Sequence, residues 1–182
     1  MTYQILDCPL ASKLNDKLYS IVDDNLFCDV NGGARRTDFN LHTKGIDCIN
    51  DLISWIYNIF PSVCYNFENQ YDDGEEGENT LGYDIDKFFL QECWGVVYNK
   101  GEGVIMHNHF PFPISFAYYV KFPENSSPFI LEGKEISLKE GQLIMFMGHQ
   151  YHGVFPLENK VDGRCVISGN ISYQPSLILA KS

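Results

Sequence analysis

KFFLQECWGVVYN (87–99), ISFAYYVKF (114–122), PFILE (128–132), KEISL (134–138), GQLIMFM (141–147), HGVFPL (152–157) and RCVISGNISY (164–173) follow one another through the second half of the chain. The runs are short and together rich in aromatic and β-branched residues, and Gly, Pro, Asn and Glu punctuate them. Such side chains suit a pleated, half-buried surface. Runs at this spacing, with no helical period between them, predict antiparallel strands closed into a sandwich or barrel. The fold class expected is therefore α+β, mainly β, with a jelly-roll-like core over residues 84–175.

Upstream the texture is helical. Leu10, Leu14, Leu18 and Ile21 share one face of a helix over 10–22. Ile46, Ile49, Ile53, Ile56 and Phe60 stripe a second over 46–60, which Pro61 is expected to end. Both stripes read as core-facing packing. Residues 1–83 are thus a helical support region whose helices pack on one sheet, and 1–182 form one domain. The acidic stretch Tyr71–Glu78 (YDDGEEGE) lacks the twelve-residue ligand spacing of a calcium loop and reads as a solvated surface loop.

Composition narrows the function classes. Hydrophobic residues make up 45% and charged residues 20%, as in ordinary globular proteins, and no apolar run is long enough to span a bilayer. The opening MTYQILDCPLASKL has neither the basic nor the apolar region of a signal peptide, so a cytoplasmic location is expected. Acids outnumber bases 24 to 13, for a net charge of −11, which argues against nucleic acid as partner. The six cysteines (Cys8, Cys28, Cys48, Cys64, Cys93 and Cys165) include no C-x-x-C pair and several sit in apolar patterns, so reduced, packed thiols are expected.

Four of only five histidines fall in two tight pairs, His107 with His109 and His149 with His152. In a strand, residues i and i+2 point the same way, so His107 and His109 can aim at one metal. His152 heads the strand-like run HGVF and can supply a third ligand; His149 sits in the connection and is assigned a supporting, outer position. Hydrogen-bonded core or surface histidines are the plainer alternative, but clustered imidazoles in a chain nearly free of His are hard to satisfy otherwise. Three protein ligands would leave positions open for a small organic ligand and dioxygen.

Arg164 follows His152 by twelve residues and opens RCVISGNISY. Alternation puts Arg164, Val166, Ser168 and Asn170 on one face of that strand. An inward Arg in a small barrel needs an anion, either a protein acid or the carboxylate of a ligand, which a guanidinium grips bidentately.

Taken together, WGVVYNKGEGVIMHNHFPFPISFAYYVKFPE, EGQLIMFMGHQYHGVFP and GRCVISGNIS resemble the 2-oxoglutarate and Fe(II)-dependent oxygenase superfamily over roughly residues 92–173. The likeness is greatest to its small H-x-H members of the phage and bacterial type. It implies a double-stranded β-helix, with Fe(II) held by His107, His109 and His152 and the distal carboxylate of 2-oxoglutarate held by Arg164. Tyr98, Tyr119 and Ser168 look like the co-substrate contacts of the prolyl hydroxylase branch, and Asn170 would stand behind the ligands. The reaction implied is hydroxylation of an unactivated C–H bond in a protein residue or small molecule, with succinate and CO2 as co-products; ascorbate is an optional further cofactor. Trp94, Phe110 and Phe112 would line an apolar substrate mouth or serve as ordinary core aromatics.

One position departs from that pattern: the superfamily usually has Asp or Glu where this chain has His109. A cupin is the competing relative, because Gly101, His107, His109, Gly141 and His152 fit its two motifs in spacing. The cupin's glutamate ligand is missing, however, from the stretch FPFPIS. A metal-dependent cupin enzyme without 2-oxoglutarate and a non-catalytic metal-binding domain are the alternative functions.

Overall fold

The computed structural model describes residues 2–69 and 84–174; the acidic stretch Tyr71–Glu78 lies outside them. In chain order the elements are β1 (Tyr3–Asp7), α1 (Ala11–Asp24), β2 (Cys28–Asp29), β3 (Arg35–Arg36), α2 (Asp47–Asn69), β4 (Phe88–Tyr98), β5 (Val104–His107), β6 (Ile114–Lys121), β7 (Phe129–Leu131), β8 (Lys134–Ile136), β9 (Gln142–Met147), β10 (His152–Val154) and β11 (Arg164–Tyr173). Two antiparallel sheets result, one ordered β1-β9-β6-β11-β4-β3-β2 and the other β5-β10-β7-β8. They face each other as a double-stranded β-helix.

Alternation along the long strands sorts two cores. Trp94, Val96 and Tyr98 of β4, Tyr119 of β6, Phe146 of β9 and Val166 of β11 point between the sheets, where they meet Phe129, Leu131 and Val154 of the smaller sheet. Cys93 and Val97 of β4, Phe116 and Tyr118 of β6 and Cys165 and Ile167 of β11 point outward, onto Leu14, Leu18 and Val22 of α1 and Ile49, Leu52 and Ile56 of α2. Both helices therefore cover one face of the larger sheet. The approach of α1 is close: a Cβ on Gly95 would stand 2.4 Å from Val22 Cγ2.

The structure corrects the sequence reading at two places. α2 does not end at Pro61 but runs on to Asn69 with the proline inside it. Pro61 is exposed. The carbonyl that loses its donor belongs to the half-exposed Tyr57 and can turn to water. Val63 and Phe67, both buried, continue the apolar stripe beyond it. The second correction is that the N-terminal region is not only helical. β1 pairs with β9, Tyr3 opposite Phe146, and β3 pairs with β4, Arg36 opposite Val96. All six cysteines are free, and Cys8, Cys48, Cys93 and Cys165 are buried. No helix among the described residues is long and apolar enough to cross a membrane.

Candidate metal and co-substrate site

His107 ends β5 and His152 begins β10, directly opposite each other in the pairing of those strands. His109 lies just past β5, where the chain leaves the sheet, so the H-x-H pair is not contained in one strand. Its backbone N–H donates to Gly148 O at 2.7 Å, and Gly148 N–H donates to Pro113 O at 3.0 Å. These bonds tie the loop after His109 to the loop before His152. Only glycine fits there, because a Cβ on residue 148 would stand 2.0 Å from Phe112 O.

The ligand atoms of the three imidazoles all lie within 4.8 Å of one another. His109 Nε2 and His152 Nε2 are 3.1 Å apart. With metal–nitrogen bonds of about 2.1 Å, two ligands at a right angle stand about 3.0 Å apart, so this edge already has the dimension that an ion requires. Nδ1 of His107 faces Ile105 O at 2.8 Å, and Nδ1 of His152 faces Gln150 O at 3.0 Å. A carbonyl opposite Nδ1 holds the proton there and leaves Nε2 free to ligate. Behind His109 stands Asn170, with Nδ2 3.4 Å from His109 Nδ1. That amide also donates to Glu92 at 2.8 Å, and its oxygen accepts from Ser115 Oγ at 2.8 Å. Ser115 and Glu92 thus hold the Asn170 amide with its N–H group, not its oxygen, toward the His109 ring.

Electrostatics favour neutral imidazoles at His109 and His152. Burial, reinforced by the neighbouring imidazoles, pushes the His152 pKa down to about 3. Burial, with His107 alongside, brings that of His109 down to about 4. Phe146 and Phe129 pack on His152, with ring centroids at 4.7 and 5.7 Å, and keep its inner side dry.

Arg164 is only 1% exposed and extends between the sheets. Tyr98 stacks below its guanidinium at 4.6 Å, with Tyr119 and Phe122 at 5.5 and 5.4 Å. Its Nη2 donates to Tyr119 Oη at 3.4 Å, while Nε and Nη1 have no partner among the described residues. No acid of the described residues pairs with it. Burial pushes the Tyr119 phenol up to about 12 against the lowering pull of Arg164, so it stays a neutral hydroxyl. The histidines, Arg164, Tyr98, Tyr119, Ser168 and Asn170 line one cavity of about 460 Å3, a volume in the range of small-molecule sites.

Of the aromatics expected at the mouth, Trp94, Phe110 and Phe112 line this cavity too. Phe110 is 77% exposed, whereas Trp94 is buried and stands 5.6 Å from the His109 ring. His149 is exposed and takes no part in the cluster; the buried partner of His152 is instead the carbonyl of Gln150. Sequence reasoning missed Glu92, Arg36 and Phe39, which also line the cavity. Alternation on β4 places Glu92 on the face of Trp94 and Tyr98 and would have found it. Arg36 and Phe39 come from the N-terminal region, where no local pattern announces them.

At the level of sequence, no family model matches the chain and no curated protein does. The fold does have solved counterparts. A viral collagen prolyl hydroxylase from Paramecium bursaria Chlorella virus 1, in complex with 2-oxoglutarate, is similar with a TM-score of 0.69 and 15% identity, over 94% of this chain and 96% of that one. A Pseudomonas putida prolyl-4-hydroxylase gives 0.64 and 14%, over 94% and 92%. HygX of Streptomyces hygroscopicus, with nickel and 2-oxoglutarate bound, gives 0.62 and 11%, over 94% and 83%. The chain has the double-stranded β-helix of 2-oxoglutarate–Fe(II) oxygenases.

Proposed function

We propose that this protein is a 2-oxoglutarate- and Fe(II)-dependent oxygenase that hydroxylates a C–H bond of a small-molecule or protein substrate. The observation that carries the reading is Arg164: a buried guanidinium with two unpartnered donors, opening into the cavity where three imidazole nitrogens converge. A buried cation in this state calls for a bidentate anion. A five-carbon diacid reaching from Arg164 toward the histidines supplies one, and the solved structures of similar fold that hold 2-oxoglutarate support that choice.

The residues present fit both groups. His107, His109 and His152 would hold the ion as neutral donors, oriented by Ile105 O, Gln150 O and Asn170. Arg164, with the Tyr119 hydroxyl, would orient the distal carboxylate, and the Tyr98 ring would support the guanidinium. Ser168, two inward positions along β11 from Arg164, would add a hydroxyl to the same wall. The iron supplies the oxygen chemistry when bound; the balance is substrate, O2 and 2-oxoglutarate giving hydroxylated product, succinate and CO2. The chain itself fixes the co-substrate, keeps the His109 and His152 imidazoles unprotonated and excludes water with Phe129, Phe146 and Trp94.

The test separates co-substrate from metal. Arg164→Ala removes a buried charge-assisted grip worth about 3 kcal/mol and should weaken anaerobic 2-oxoglutarate binding roughly a hundredfold, with Fe(II) affinity little changed. Tyr119→Phe should weaken it less, through loss of one neutral hydrogen bond. A parent protein that binds no 2-oxoglutarate, or turns over a substrate on metal alone, would support the cupin alternative instead.

A further inference from the structure

One wall of the cavity is a ladder of flat groups leading away from the histidines. The His109 ring meets Trp94 at 5.6 Å, Trp94 meets Phe39 edge-on at 5.1 Å, and the Arg36 guanidinium lies over Phe39 at 3.9 Å. The ladder is held firmly. Arg36 pairs with Val96, and Thr37 is locked to Gly95 by Thr37 N–H donating to Gly95 O at 2.9 Å and Gly95 N–H donating to Thr37 Oγ1 at 3.1 Å. Because paired residues share a face, Arg36 follows Val96 to the inside of the sheet, whereas Arg35 turns outward and pairs with Asp29.

Arg36 is half-buried and makes no ion pair with an acid of the described residues. Its Nη1 donates to Thr37 O at 2.8 Å. The Nε/Nη2 edge, which forms two parallel bonds to a carboxylate, makes no hydrogen bond among those residues. Glu92, which lines the same cavity, is engaged by Asn170 rather than by Arg36.

From this geometry we infer that the substrate is a small molecule with a flat apolar body and a carboxylate: the body lies along Trp94 and Phe39, and the carboxylate binds the free edge of Arg36. The inference rests on the oxygenase reading for what happens to that substrate, and the charge count supports it. A divalent metal, Arg164 and a doubly charged 2-oxoglutarate leave one net positive charge, because His109 brings none of the negative charge a carboxylate ligand would. Arg36 and Glu92 cancel. One substrate carboxylate then neutralises the site, in a chain whose net charge of −11 otherwise repels anions.

The experiment uses the full chain loaded anaerobically with Fe(II) and saturated with 2-oxoglutarate, so that Arg164 is occupied. Phenylacetate, 3-phenylpropionate and indole-3-acetate are titrated by calorimetry beside their primary amides, into the parent, Arg36→Gln and Arg36→Lys. At least one carboxylate should bind tenfold or more tighter than its amide. Arg36→Gln should abolish that preference, Arg36→Lys should keep part of it, and 2-oxoglutarate affinity should be the same in all three proteins. Equal binding of acids and amides, no binding of any probe, or a preference that survives in Arg36→Gln overturns the inference while leaving the oxygenase reading intact. Failure of the parent to bind 2-oxoglutarate overturns the oxygenase reading. In that case the same titrations with metal alone, in the Arg164→Ala background, still decide whether Arg36 selects carboxylates.

Discussion

At the scale of single residues, side-chain direction decides what was legible. Alternation along RCVISGNISY placed Arg164, Ser168 and Asn170 on one wall, and the two histidine pairs stood out by scarcity. For His149 no such signal exists, because a loop residue has no period to betray its direction; it is exposed. His107→Ala and His152→Ala should therefore abolish stoichiometric Fe(II) binding in calorimetric titration, and His149→Ala should retain it. A titration consequence attaches to His152. Its folded pKa, about 3, lies below the ordinary value of 6.5, so the unfolded chain binds the proton more readily. That site costs no stability above pH 6.5 and progressively more as pH falls toward about 3, by up to about 1.4 kcal/mol per pH unit. Metal-free protein should lose urea resistance on acidification from pH 7 to 4, and His152→Gln should flatten the slope. An unchanged slope in the variant would remove His152 from the account.

At the scale of elements, long-range pairing limits what a local pattern can show. Both helices were read from their 3.6-residue stripes, but the proline rule misplaced the end of α2, where Val63 and Phe67 outweigh one lost hydrogen bond on the solvent side. β1 escaped notice because its five residues alternate weakly and find their partner, β9, far along the chain. β2 and β3, two residues each, exist only because β4 offers an edge. Gly95 is the contact that seats α1 on the sheet. Gly95→Ala should destabilise by about 1–3 kcal/mol through overpacking against Val22, and Val22→Ala in the same chain should recover part of that loss. Strict additivity of the two changes in denaturant midpoints would mean that the contact does not matter.

At the scale of the whole molecule, the fold assembles its site from residues far apart in sequence. β5 and β10 bring His107 opposite His152, and the larger sheet turns Arg164 inward to line the same cavity. An unpaired buried guanidinium burdens the ligand-free protein, because two donors are desolvated without compensation. Arg164→Met keeps the length and apolar stem and removes the charge. Replacing buried ionic groups by packed apolar ones is often neutral or stabilising by about 1–4 kcal/mol, so the ligand-free variant should melt at or above the parent. Ligand should then reverse the order. At about one hundred times its dissociation constant, 2-oxoglutarate stabilises the parent by about 2.7 kcal/mol, and the variant should show almost none of this. Melting both proteins anaerobically with Fe(II), with and without 2-oxoglutarate, reads the two effects separately. A variant that melts well below the parent without ligand would mean that Arg164 is a structural strut; a variant that keeps the full ligand-induced shift would place the diacid elsewhere.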